Sequence, residues 1–182
     1  MTDLSYTTSG RPQPGEVAAY AQVYLDHVVG DDAVAVLSAV ARDTLALLSP
    51  LRDDAIAGVR YAPDKWTIKD IVGHLVDDER IMSYRALCIA RGERLQLLGF
   101  DEKVYAANAG AELRPMAGLL AEYRMVRDAS LALFRSFTSE AWLRLGIANG
   151  HVVSARGVAF HIAGHELHHV RMIRHQYLPL VK

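Results

Sequence analysis

The chain has 182 residues, 51% of them hydrophobic and 23% charged, with a formal net charge of −1. That is the composition of one globular domain with room for a core. The near-neutral charge argues against nucleic acid as a main partner, and no run approaches the ~18 apolar residues of a membrane span. Cys88 is the single cysteine, so no intramolecular disulfide is possible, which fits a reducing compartment. The first residues, "MTDLSYTTSGRPQPGE", lack a basic start followed by an apolar run. A soluble cytoplasmic protein is therefore expected.

Residues 1–15 are polar and carry Gly10, Pro12, Pro14 and Gly15, so they read as an extended arm before a single domain over 16–182. "EVAAYAQVYLDHV" reads as a short helix. Asp31 or Asp32 then supplies an N-cap for a helix with Val34, Leu37, Val40, Ala41, Leu45 and Leu48 at helical spacing. Pro50 ends it. Thr67 with Asp70 forms a capping-box pattern, with Asp in place of the usual Glu or Gln. The helix it opens runs from about residue 68 to about 91 through Ile71, Val72, Leu75, Ile81, Met82 and Leu87, and Gly92 stops it.

Residues 92–114 are irregular and long for a connection inside a compact domain; such stretches are functional or carry a crossover. Pro115 begins the third long helix, to about Phe137. Thr138 or Ser139 caps a short turn around Trp142. Asn149-Gly150 is a turn signal, and "GIANGHVVS" has room for a short hairpin. Ser154 caps the last helix, which reaches about Tyr177. Four long amphipathic helices and one long connection predict an all-α four-helix bundle with one long crossover.

The last helix carries "HIAGHELHH", four of the eight histidines in residues 161–169. At about 100° per residue, His161, His165, His168 and His169 project within one arc. The pairs His161/His165 and His165/His169 are each spaced to share one metal, and neutral imidazole suits zinc, nickel, copper or iron. Each buried ring nitrogen needs a partner, so four on one face favour a metal over a packed core face. The literal H-E-x-x-H of His165, Glu166 and His169 also matches a zinc-protease helix. Against that, Glu166 points about 100° from His165. His175 would sit ~15 Å further along a continuing helix, and Met172 stands where the extended protease pattern has a chain-turning glycine. Of the other histidines, His27 and His151 read as loop residues. His74 lies mid-helix beside Gly73, with Asp77 and Asp78 three and four residues on.

Three stretches, "APDKWTIKDIVGHLVDDERIMSYRA", "LLGFDEKVYA" and "AGHELHHVRMI", resemble the DinB/YfiT-like superfamily in that order. The resemblance covers the chain after the arm. It implies a four-helix bundle, often a homodimer, with a divalent metal, commonly zinc or nickel, on three histidines. Carried over, these are His74, His165 and His169, leaving His161 and His168 to support or pack. Val170-Arg171-Met172 and Leu98 depart from patterns common in the family, so substrate preference does not transfer. Relatives include enzymes that use low-molecular-weight thiols and others described as metal-dependent hydrolases.

The reading favoured is a thiol-dependent S-transferase acting on a small-molecule substrate, with a metal-dependent hydrolase or a non-catalytic metal-binding stress-response module as alternatives. Asp78, Glu79 and Tyr105 are candidate catalytic residues; each also reads as surface charge or packing. Cys88, among apolar residues in "RALCIARG", is expected to be buried and without a role.

Overall fold

The computed structural model describes residues 7–181. The elements are α1 (Gln22–Leu25), α2 (Ala33–Leu48), α3 (Asp53–Ile56), α4 (Ile68–Ala90), α5 (Glu102–Ala109), α6 (Met116–Arg135), α7 (Ser139–Leu143), β1 (Leu145–Ala148), β2 (His151–Ser154) and α8 (Ala155–Met172). The helix starts follow local chemistry. Asp32 accepts from the Ala35 N–H at 2.8 Å, and Ser154 accepts from that of Gly157 at 2.9 Å. Thr67 and Asp70 satisfy each other's backbone donors, closing the capping box. Between β1 and β2, Asn149 (φ 50°) and Gly150 (φ 78°) are both left-handed, as a two-residue hairpin turn requires.

The four long helices form the bundle. Each of α2 and α4 packs against α6 and α8, which puts α2 diagonal to α4 and α6 diagonal to α8. One end of the core holds Val34, Leu37, Ala86, Ile89, Phe134 and Val158. The other holds Leu48, Ile68, Ile71, Met116, Leu119 and Ile173. So α4 and α6 run parallel to each other and antiparallel to α2 and α8. A chain leaving the end of α4 must travel the whole bundle to start α6. Residues 91–115 make that crossover.

The crossover is tied down along its way. Leu97 exchanges backbone hydrogen bonds with the hairpin, donating to Ile147 and accepting from Asn149, each at 2.9 Å. The middle of the segment, expected to be irregular, forms α5 on an Asp101 N-cap, with left-handed Gly110 at its C-cap. Further on, Gly73 of α4 lets the chain approach closely, since a Cβ there would meet the Ala111 Cβ at 2.9 Å.

The N-terminal segment lies against α8. A Cβ on Gly157 would fall 2.2 Å from the Glu16 carbonyl oxygen, and one on Gly164 2.5 Å from that of Tyr24. The expected helix over 16–28 is a 3-10 turn, Ala19–Ala21, followed by α1. Residues 7–15, the described part of the expected arm, carry no helix or strand but dock. Arg11 donates to the Leu25, Val28 and Gly30 carbonyls. The buried Trp142 indole donates to the Thr7 carbonyl at 3.0 Å. Residues 1–6 of the arm lie outside the described residues.

Candidate metal centre

Consecutive residues on an α-helix diverge by about 100°, and α4 and α8 both use this at the same level. On α4, Asp78 turns toward α8 and Glu79 toward the bundle axis. On α8, His165 turns toward α4 and Glu166 toward the axis. The result is two polar layers, one around the histidines and one in the middle of the bundle.

In the first layer, His165 Nε2 lies 3.2 Å from His74 Nε2 and 3.1 Å from His169 Nε2. The three donor atoms lie within 4.8 Å of one another, and all three residues are buried. His165 Nδ1 meets Asp78 Oδ2 at 3.2 Å, which points the far side of that ring at the other two. Trp66 walls the group, its ring 4.7 Å from that of His74 and 6.3 Å from that of His169. Tyr177 pins it by donating to the Trp66 carbonyl at 2.8 Å. On the other side the Tyr24 ring stands edge-on to His161, His165 and His168, at 5.3–5.5 Å. The Tyr24 placement depends on the bare Gly164.

Burial sets the charges here. It pulls the His74 imidazole down to about 4 and His169 down to about 2, with the charge on His165 adding to both. Burial acts the same way on His165, but the Asp78 carboxylate outweighs it and the ring is raised. Burial would raise Asp78; His165, with His161 and His74, holds it down at about 2. Two imidazoles are thus kept neutral, with lone pairs free, and the third is oriented by a carboxylate. That donor set fits a divalent transition-metal ion. Three protein ligands leave a position for another molecule.

Separate cavities reach the group. One, of ≈200 Å³, is lined by Tyr24, Asp78, Arg85, Glu102, His161 and His165 among others. Another, of ≈530 Å³, is lined by Lys65, Trp66, Glu102, Lys103, His169 and Tyr177 among others. Glu102, the first residue of α5, borders both, so the crossover overhangs the histidines.

The second layer is closed. Arg127 of α6 is 2% exposed. Its Nε and Nη2 donate to the two Glu79 oxygens at 2.8 and 2.9 Å, Nη2 also to Glu166 Oε2 at 2.5 Å, and Nη1 to the Leu37 carbonyl at 2.8 Å. Thr44 and Tyr123 donate to Glu166 Oε1. Burial would lower the Arg127 guanidinium, but Glu166 and Glu79 raise it well above its ordinary value. Burial, then Glu166, raises the Tyr123 phenol, so it stays a donor. Every long helix contributes to this layer.

These placements sort the sequence candidates. His74, His165 and His169 converge, and Asp78 orients His165. Glu79, a candidate for catalysis, is instead committed to Arg127 inside the bundle. Glu166, the general base of the protease pattern, is held in the same network, and His175 is exposed beyond the end of α8. Tyr105 is 47% exposed on α5 with its ring 5.1 Å from that of Phe100; Glu102 takes the place at the cavities instead. His161 is stacked beside His165 at 5.7 Å, and His168 packs on Tyr24. Cys88 is half-buried rather than buried. The roles of Trp66, Arg85 and Glu102 had no signal in local spacing, because each depends on the path of a loop.

Fold and site together define a class: a helical bundle with a buried cluster of three imidazoles below a long crossover. A model of the DinB superfamily matches residues 37–173, and the chain belongs to that superfamily. YfiT from Bacillus subtilis, described as a probable metal-dependent hydrolase with an unusual four-helix bundle topology, has a similar structure. The TM-score is 0.71 with 20% sequence identity, over 95% of this chain and 95% of that one. At that identity the likeness is one of fold. No curated protein matches the sequence.

Proposed function

We propose that this protein is a metal-dependent enzyme in which His74, His165 and His169 hold one divalent cation, zinc or nickel. The reaction proposed is transfer of a low-molecular-weight thiol to an electrophilic small molecule. The observation that carries the reading is the convergence of three Nε2 atoms from two helices at a point bordered by two separate cavities. A structural zinc site usually has four protein ligands, and the group found among the described residues has three. Two cavities suit a reaction of two substrates.

A bound divalent cation lowers the pKa of a coordinated thiol or water. The chain's own residues do the rest. Asp78 accepts the Nδ1 proton of His165 and so fixes the tautomer whose Nε2 lone pair faces His74 and His169. Trp66 and Tyr24 cover the rings and limit water. Glu102 overhangs the reacting position from the crossover. Hydrolysis is the second reading, favoured by the description of the Bacillus subtilis neighbour. A homodimer in the cytoplasm belongs to the same proposal.

Metal analysis of the purified protein tests the ligand set: His74→Ala, His165→Ala and His169→Ala should each lose the bound ion. Full retention in any one removes that residue from the centre. An electrophile offered with a panel of cellular thiols tests the reaction. Ester or amide hydrolysis with no thiol turnover would replace the transfer reading.

A further inference from the structure

Arg85 is buried at 4% exposure, yet its surroundings differ from those of the buried Arg127 and the half-buried Arg156. Arg127 has two carboxylates, and Arg156 has Glu16. Arg85 donates to the Leu98 carbonyl at 2.6 Å and meets Met82 Sδ at 3.5 Å, with the Phe100 ring 5.8 Å away. Among the described residues no carboxylate lies within ion-pair distance of it, and the Asp78 carboxylate acts on its charge only from across the cavity. A guanidinium has five N–H donors, and leaving a buried cation without an anion is costly. Arg85 lines the ≈200 Å³ cavity that reaches His165 and the smaller recess of ≈30 Å³ beside it. His161 lines the same two, and its ring nitrogens make no hydrogen bond among the described residues.

We infer that Arg85 and His161 form a subsite for a carboxylate carried by the substrate. The flat fork of a guanidinium matches a carboxylate with two parallel hydrogen bonds, and the His161 ring offers a further donor. Asp78 and Glu102 line the same cavity, so a carboxylate group, with one charge, is repelled less beside Arg85 than a phosphate group carrying two. His161 lies one helical turn, about 6 Å along α8, from His165. The carboxylate therefore sits a few bonds from the atom that reacts at the histidines, which defines a short-chain carboxylic acid as the substrate class. This placement of the reacting atom rests on the proposed metal centre; the subsite itself does not.

The test is calorimetric titration of the intact protein, zinc-loaded and zinc-free, with succinate, succinamide and inorganic phosphate at one ionic strength. Succinate should bind, with phosphate weaker and succinamide weaker still. Arg85→Gln should weaken succinate at least ~10-fold, Arg85→Lys less, and His161→Gln several-fold, with helical circular dichroism retained. Unchanged affinity in Arg85→Gln overturns the subsite, as does equal binding of succinamide. Because Arg85 also holds the Leu98 carbonyl, His161→Gln and the succinate–succinamide pair decide if Arg85→Gln fails to fold. His74→Ala separates the two readings. Succinate binding that persists there, without zinc, leaves the subsite standing apart from the metal centre. Binding lost there but untouched by Arg85→Gln places succinate on the zinc and overturns the subsite alone.

Discussion

Asp78 and Glu79 are neighbours in sequence, similar in chemistry and equally buried, yet they belong to different layers. Asp78→Asn removes the charge that His165 Nδ1 faces at 3.2 Å and leaves the shape. A lost carboxylate behind a ligating imidazole costs about 10–100-fold in metal affinity, or about 1.4–2.7 kcal/mol. The same difference should be missing from the stabilisation gained at saturating zinc. In the metal-free protein the Asp78 carboxyl, which burial would raise and His165 holds down at about 2 from an ordinary 3.8, contributes about 2 kcal/mol at neutral pH. That stability is present above the unfolded value and is lost as pH falls through the folded one. Glu79→Gln breaks a buried ion pair and should cost about 3–5 kcal/mol of stability, while zinc affinity stays within about threefold, less than the cost of an altered carboxylate behind a ligand. Competition with a chromophoric chelator reads affinity, and urea unfolding of metal-free protein reads stability. Wild-type zinc affinity in Asp78→Asn, or its loss in a folded Glu79→Gln, would refute the two-layer assignment.

Other outcomes follow from the same geometry. Against burial, the Asp78 carboxylate raises the His165 ring and so favours its protonated form in the metal-free protein; zinc binding should therefore release protons, more of them as pH falls, read as buffer-dependent heat, and no release at any pH would count against His165 as a ligand. His74 and His161 are each lowered from 6.5 to about 4. The unfolded chain therefore binds more protons between those values, and metal-free stability should fall with pH through that window by up to ~1.4 kcal/mol per pH unit for each ring. Urea midpoints flat from pH 6.5 to 4 would contradict this. Gly164→Ala drives a Cβ into the Tyr24 backbone and should cost about 1–3 kcal/mol, with the Tyr24 environment altered in near-ultraviolet circular dichroism. Tyr123→Phe leaves Glu166 one donor short and should destabilise by about 1–3 kcal/mol, measured by urea unfolding, without loss of bound zinc.

The helices were legible because their signals are local. Apolar spacing marks α2 and α6, Thr67 and Asp70 mark the start of α4, and Asn149-Gly150 marks the hairpin. The convergence of His165 and His169 follows from i,i+4 geometry on one helix. His74 came from the family resemblance rather than from spacing, since nothing local says which helices face each other. The crossover hid α5, although Asp101 and Gly110 flank it as cap residues. The charged run around Asp77, Asp78 and Glu79 looks like a solvated face until α6 supplies Arg127 from a distant stretch. Nothing in the spacing around Arg85 marks it as buried; the path of Leu98 and Phe100 over it does.

Because each of α4 and α8 serves the histidine cluster with one residue and the Arg127 lattice with the next, neither helix can swivel to re-aim a ligand without tearing charge pairs in the middle of the protein. Natural variation that changes what the site accepts must then enter elsewhere. The overhanging span from Leu97 to Lys103 meets the cavities but owes little to the lattice. It is the stretch where new chemistry can be tried at small risk to folding.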